Sequence, residues 1–278
     1  MMYYLLFAVF LLIVAQEAYS YYRTRASSSD GWPTDTVPPF EITKLVVSAF
    51  VLAAIVRTLL LEPFNIPSGS MKPNLLVGDY LFVSKYSYGY GRYSFPLEVP
   101  LKQRYGGHSP RQGDVVVFRG HDGKTDYIKR VIGVAGDRIQ MKQGRLYWNG
   151  QLVEREKAGY HTDDDGLTGT MGKVEAPLQL FVETLPNGVQ HRIAEIDDDH
   201  PLDNTAEITV PADHIFVMGD NRDDSRDSRE PTVGAIPIAS LIGQAQMMFF
   251  SISPMASWWQ PWEWPWGIRY SRFFQLVD

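Results

Sequence analysis

Apolar positions follow two regimes along the chain. Leu5 to Ala15 is apolar throughout, and from Met1 to Tyr22 the only charge is Glu17. Lys44 opens a second run, uncharged from Leu45 to Val56, which continues past Arg57 through Leu59-Leu60-Leu61 to Glu62-Pro63. About 20 helical residues cross roughly 30 Å of hydrocarbon, so the runs predict membrane helices over 1–22 and 44–62, with Arg57 snorkelling to the interface. The uninterrupted part of the second run, taken alone, also suits a buried core helix. A cleaved secretory signal is the rival for the first run, but such signals carry positive charge ahead of the apolar region, and here Arg23 and Arg25 follow it. Residues 23–43 hold Ser27-Ser28-Ser29-Asp30-Gly31 and several prolines, the composition of a loop. Arg23, Arg25 and Lys44 put that loop in the cytoplasm, which places everything after Pro63 on the outer side.

Beyond Pro63 the pattern shortens to β-branched and aromatic runs: Tyr80 to Val83, Val115 to Phe118, Tyr127 to Val134, Arg138 to Met141 and His214 to Met218. Gly78-Asp79, Gly113-Asp114, Gly136-Asp137 and Gly219-Asp220 punctuate them, as turns and strand entries require. This predicts a mainly β, antiparallel domain in two parts, 63–144 and 213–278. The more acidic and polar stretch 145–212 reads as an inserted, smaller β-rich subdomain.

Composition narrows the chemistry. The chain has no cysteine, which excludes a thiolate nucleophile, a thiolate metal site and any disulfide. A net charge of −6 gives no electrostatic reason to expect nucleic-acid binding. The six histidines include no pair at metal-ligand spacing, and none sits in a motif with an orienting neighbour. The acidic clusters at Asp163 to Asp165 and Asp197 to Asp199 read as solvated faces.

Three segments can carry catalysis. Ile66-Pro67-Ser68-Gly69-Ser70-Met71-Lys72-Pro73 follows the second apolar run, and its prolines and glycine fix an irregular backbone around two hydroxyls. Alone, it is an ordinary turn. Asp126 to Gly133 alternates so that Tyr127, Lys129 and Val131 share one face and Ile128, Arg130 and Ile132 the other. A strand lysine is ordinarily solvated, but a buried one loses its proton more easily and becomes a competent base toward a serine hydroxyl. Gly219-Asp220-Asn221-Arg222-Asp223-Asp224-Ser225-Arg226-Asp227-Ser228-Arg229 lacks the alternating oxygens and sixth-position glycine of a calcium loop. Its carboxylates Asp220 and Asp227 can instead pair bidentately with Arg130, Arg222 or Arg229 and hold the loop against the lysine strand.

The Ser-Gly-Ser-Met segment after an apolar span, the Tyr-Ile-Lys-Arg strand and the Gly-Asp-Asn-Arg-Asp run occur here in the order in which they occur in bacterial type I signal peptidases, and the chain resembles that family over nearly its whole length. Arg57, Glu62-Pro63-Phe64 and the stretch from Trp264-Pro265 to Arg272 add to the likeness. One departure follows Arg229, where Glu230-Pro231-Thr232-Val233-Gly234 stands in place of the family's aromatic pair and glycine. The resemblance implies a serine endopeptidase of the inner membrane that removes signal peptides after a small-x-small motif. Its partners would be preproteins emerging from the secretion machinery and membrane lipid, and it needs no metal or organic cofactor. It also implies Ser70 as nucleophile, Lys129 as general base and Ser225 as the hydroxyl orienting the lysine, with Ser68 and the Ser70 N–H as oxyanion donors. Ile66, Met71, Leu75, Tyr127 and Ile128 would line the pocket for the residue before the cut, and Phe64 and Val116 the neighbouring one. Two rivals are a catalytically dead binding module, against which Ser70, Lys129 and Ser225 together argue, and a repressor-type autoprotease, which carries a DNA-binding domain where this chain has apolar spans. Trp258, Trp259, Trp262, Trp264 and Trp266 crowd the C-terminal stretch, as a segment resting on a membrane surface would.

Overall fold

The computed structural model describes residues 19, 39–95, 101, 103–161, 178–254, 256, 262 and 264–277. The chain divides into two compact units, 1–57 and 58–278. The one long helix described, α1 (Pro39–Leu59), starts and ends earlier than the predicted second span. Its apolar side chains are spread around the helix, and Leu45, Val46, Phe50, Val51, Leu52 and Ile55 are exposed. Pro63 biases Glu62 away from helical backbone, and the chain passes directly into β1 (Leu61–Asn65). Two membrane-spanning helices are therefore not what the structure displays: the first lies outside the described residues apart from Tyr19, and among the described residues no helix is long and apolar enough to cross a membrane.

The second unit is antiparallel β, as its short β-branched and aromatic runs between turn residues predict. Its main sheet has the order β1, β2 (Asp79–Ser84), β14 (Leu241–Ser251), β3 (Val115–Arg119), β4 (Asp126–Val134), β12 (His214–Met218) and β13 (Ile236–Pro237). A four-stranded sheet joins β5 (Arg138–Lys142), β6 (Arg145–Trp148), β7 (Gln151–Leu152) and β11 (Ile208–Thr209). A three-stranded sheet joins β8 (Glu154–His161), β9 (Leu178–Thr184) and β10 (Gln190–Glu195).

Strand alternation separates the core into clusters on the two faces of the main sheet. Val115, Val117 and Ile128 pack with Ile66, Met71, Leu75 and Leu81. Val116, Phe118 and Val131 pack with Tyr88, Val217 and Leu241. A third cluster, with Ile132, Phe216 and Met218 facing Ile139, Met141 and Leu146, welds the four-stranded sheet to β4 and β12. The C-terminal stretch is tied back to the main sheet at Asp79, fully buried, which accepts hydrogen bonds from the Leu76 N–H at 2.7 Å, Ser251 Oγ at 2.6 Å and Arg272 at 2.6 and 3.0 Å. Trp262, Trp264 and Trp266 are exposed, whereas Trp258 and Trp259 lie outside the described residues.

Candidate active site

Ser70 sits in the irregular segment between β1 and β2. That segment is closed at its base by Ile66 N–H to Asp79 O at 2.8 Å and Gly78 N–H to Ile66 O at 3.0 Å, and is braced inside by Leu75 N–H to Met71 O at 2.9 Å. Its apolar residues Ile66, Met71 and Leu75 are sunk in the core, which leaves the short hydroxyls between them to face the sheet. The next wall is β4, where Lys129 lies opposite Val116 in the ladder. Lys129 Nζ and Ser70 Oγ are 2.5 Å apart, with the two residues only 3% and 6% exposed. Burial lowers the lysine pKa to about 8; Asp227, Asp220 and Asp224 resist that shift and Arg229 assists it. A hydroxyl in contact with an amine whose pKa is about 8, rather than the 10.5 of an ordinary lysine, is a nucleophile beside its base.

Around this pair the Gly219–Arg229 segment forms the third wall. Arg130 pairs bidentately with Asp220 at 2.8 and 2.8 Å, both fully buried, and its third nitrogen donates to Gly113 O at 2.8 Å. Asp227 pairs with Arg229 at 2.9 and 2.9 Å and accepts the Gly219 N–H at 3.0 Å. Burial pushes both carboxyls up, but the arginine beside each overrides it, and the net direction is down. The altered sequence after Arg229 folds into a tight turn, Val233 and Gly234 N–H donating to Glu230 O, and leaves the Asp227–Arg229 pair intact.

Not every expected placement is seen. Arg222 pairs with neither Asp220 nor Asp227 but with Glu183 of β9. Ser225 is buried beside Ser70, yet its hydroxyl makes no hydrogen bond of normal geometry to Lys129; it lies near enough to Asp227 to help keep that carboxylate ionised. Ser68 Oγ is 3.4 Å from Ser70 Oγ, on an exposed residue. The expected pocket residues divide between the sheet faces. Ile66, Met71, Leu75 and Ile128 gather with Phe64 against them, while Val116 belongs to the opposite cluster and Tyr127 lines a cavity of about 610 Å³ with Tyr93, Phe118 and Val233. Alternation is the reason, since residues one apart on a strand face opposite ways. Among the described residues no three His, Asp or Glu side chains gather as a metal site.

Several residues of the site carry no role in the sequence reading. Asn74 Nδ2 donates to Asp220 Oδ2 at 2.7 Å, and Asn221 N–H donates to the Ser70 carbonyl at 3.1 Å. Glu183 stands at a buried position of the strand Leu178–Thr184, and a carboxylate among inward-facing apolar residues is the sequence signal of a buried cation partner. Gly219 is held to glycine by space. A Cβ there would lie 2.2 Å from Ser225 Oγ and 2.5 Å from the Ser70 carbonyl oxygen. Gly219→Ala is therefore expected to shift the nucleophile segment and lower kcat about 100-fold in a folded protein, measured as turnover beside a far-UV spectrum; wild-type turnover would contradict this placement.

Residues 40–250 match the family described as signal peptidase, peptidase S26. The chain belongs to that family. It is 39% identical over 218 residues to a signal peptidase I of Rickettsia typhi, covering 75% of this chain and 78% of that one. It is 40% identical over 223 residues to those of Rickettsia akari and Rickettsia prowazekii, covering 76% of this chain in each case and 79% and 80% of theirs. A solved signal peptidase I from Enterococcus faecalis V583 aligns with a TM-score of 0.28 and 21% identity, over 49% of this chain and 97% of that one. As a member of peptidase S26 the chain is a serine endopeptidase, a hydrolase.

Proposed function

We propose that this protein removes signal peptides from exported preproteins by an acyl-enzyme route in which Ser70 attacks the scissile carbonyl and Lys129 takes its proton. The observation that carries this is the buried 2.5 Å contact between Ser70 Oγ and Lys129 Nζ. The neutral amine accepts the Ser70 proton as the C–O bond forms, and the resulting ammonium returns it to the leaving amine as the C–N bond breaks. Water, deprotonated by the same amine, then hydrolyses the ester. Ser68 Oγ and the Ser70 N–H are the donors for the oxyanion, each contributing about 3 kcal/mol. Ile66, Met71, Leu75 and Ile128 give the Ser70 segment apolar walls that suit a small side chain before the cut.

The membrane is the proposed setting. The exposed Leu45, Val46, Phe50, Val51, Leu52 and Ile55 of α1 suit a lipid surround better than water. Trp266, 85% exposed, with Trp262, Tyr270 and Phe274, offers amphipathic rings of the kind that settle at headgroups. We assign the second unit to the outer side of the inner membrane, with the 23–43 segment cytoplasmic.

The test is cleavage of a preprotein with a small-x-small site by detergent-solubilised protein, across pH 6 to 10. Because the reactive form is the free amine, kcat/KM should rise about tenfold per pH unit at low pH and level off above the Lys129 pKa of about 8. A plateau reached already at pH 6, or cutting unaffected by a bulky residue just before the scissile bond, would count against the mechanism or the specificity respectively.

A further inference from the structure

The hairpin of β9 and β10 stands apart from Ser70 and Lys129, yet it grips the segment that abuts them. Glu183 of β9, 1% exposed, receives both terminal nitrogens of Arg222, Nη1 to Oε1 at 3.0 Å and Nη2 to Oε2. Burial pushes the Glu183 carboxyl up, and the Arg222 guanidinium more than reverses it, so the pair is ionised. His191, directly across the ladder, lies 3.4 Å from Glu183 Oε2, and burial lowers its pKa to about 4. At neutral pH the ring is uncharged, and Arg222 is the cation that answers Glu183.

The second grip is backbone. Ala194 of β10 donates its N–H to Asp220 O at 2.9 Å and accepts the Arg222 N–H at 2.9 Å, a parallel bridge centred on Asn221. In extended backbone, alternate residues present their polar groups to opposite sides. With 220 and 222 bonded to the hairpin, Asn221 must face the other way, and there its N–H meets the Ser70 carbonyl at 3.1 Å and its Nδ2 meets Gly69 O at 3.2 Å.

We propose that the β9–β10 hairpin, through Glu183 and Ala194, is a positioning device for the nucleophile: it sets residues 220–222, which in turn set the backbone of Ser70 against Lys129. This rests on the peptidase reading above and gives part of the 145–212 stretch a task in it. Glu183 acts through Arg222 and touches no reacting atom, so it is a positioning residue.

The experiment uses the full chain in detergent with a small-x-small preprotein, comparing wild type, Ser70→Ala and Glu183→Gln, with rates normalised to active sites. Glu183→Gln is expected to lower kcat 10- to 100-fold with KM within about twofold. It should also move the acid limb of kcat/KM to higher pH, because a loosened wall admits water to Lys129. The sign is diagnostic: with Asp220, Asp224, Asp227 and Arg229 as the charges facing that amine, loss of one more carboxylate could by itself only lower its pKa. A normalised kcat and acid limb equal to wild type, even with a lower Tm, would overturn the proposal by showing that the hairpin only supports the fold. Should Glu183→Gln not fold, Arg222→Lys, which keeps the charge and loses the two-pronged geometry, is judged by the same two readouts. If wild type shows no Ser70-dependent cleavage, the peptidase reading fails first and the positioning proposal with it.

Discussion

Ser70→Ala and Lys129→Met are each expected to abolish preprotein cleavage, by about 10⁴-fold or more, while leaving the fold intact. Neither side chain is a structural keystone. Ser70 loses one oxygen from a segment pinned by its backbone and by Ile66, Met71 and Leu75. Methionine reproduces the lysine stem between β3 and the Gly219–Arg229 wall without the amine. The stability of Lys129→Met tests the burial argument independently of activity. The folded lysine pKa, about 8, lies below the ordinary 10.5, so below pH 8 the folded protein carries a buried ammonium at full cost. That cost fades as pH rises from 8 to 10.5, where the unfolded chain holds more protons than the folded one. The methionine variant should therefore melt at or above the wild-type temperature at pH 7, with the advantage gone above pH 10.5. A lower Tm for Lys129→Met at pH 7 would contradict a desolvated amine. The double variant should be no slower than either single one, because the two groups act as a unit.

Asp220→Ala is expected to cost about 3–5 kcal/mol of stability, far more than any surface substitution, because it leaves the Arg130 guanidinium buried and uncompensated. Arg130 is 0% exposed and both its paired nitrogens point at Asp220, so no water replaces the carboxylate. The same change removes one of the two acceptors of Asn74 Nδ2, four residues beyond the segment's reactive hydroxyl, the other being Arg192 O. Urea titration of wild type and variant measures the difference. Glu230→Ala is the internal control: its partner Arg226 is 65% exposed, and the loss there should stay within about 1 kcal/mol. Equal losses for the two variants would rule out the buried-charge account. The wild-type pair is also pH-sensitive in a defined direction. The Asp220 carboxyl is held below its usual 3.8, so its stabilisation is complete above that value and disappears as pH falls through the lower folded one.

β2, β3, β4 and β12 of the main sheet were legible because they are short β-branched and aromatic runs between turn residues, several entered through a Gly-Asp pair, whereas β1, β13 and β14 were not read as strands. Ser70 and Lys129 were legible only as residue types in ordered motifs; that they meet depends on how β1, β2 and β4 stack, which no local pattern states. Of the three arginines offered to Asp220 and Asp227, Arg130 and Arg229 take them, and Arg222 goes elsewhere for a related reason. Its motif is crowded with nearby carboxylates, while its actual partner, Glu183, lies 39 residues earlier on a hairpin whose docking is tertiary. The distribution of Val116 and Tyr127 on the face away from Ile66 could have been anticipated from parity alone, since Ile128 and Tyr127 are neighbours on one strand.

The braces of the Ser70 segment come from far along the chain: Asp220 and Asn221, and finally Arg272, whose Nη2 donates to Asn74 O at 2.8 Å across 198 residues. Contacts of such separation form late. On a ribosome, the nucleophile is made early but stays unbraced until Arg272 has emerged. A nascent copy of this peptidase is thus without its finished catalytic pocket until the last residues of the described fold are made, a built-in delay between having a protease's residues and being a protease.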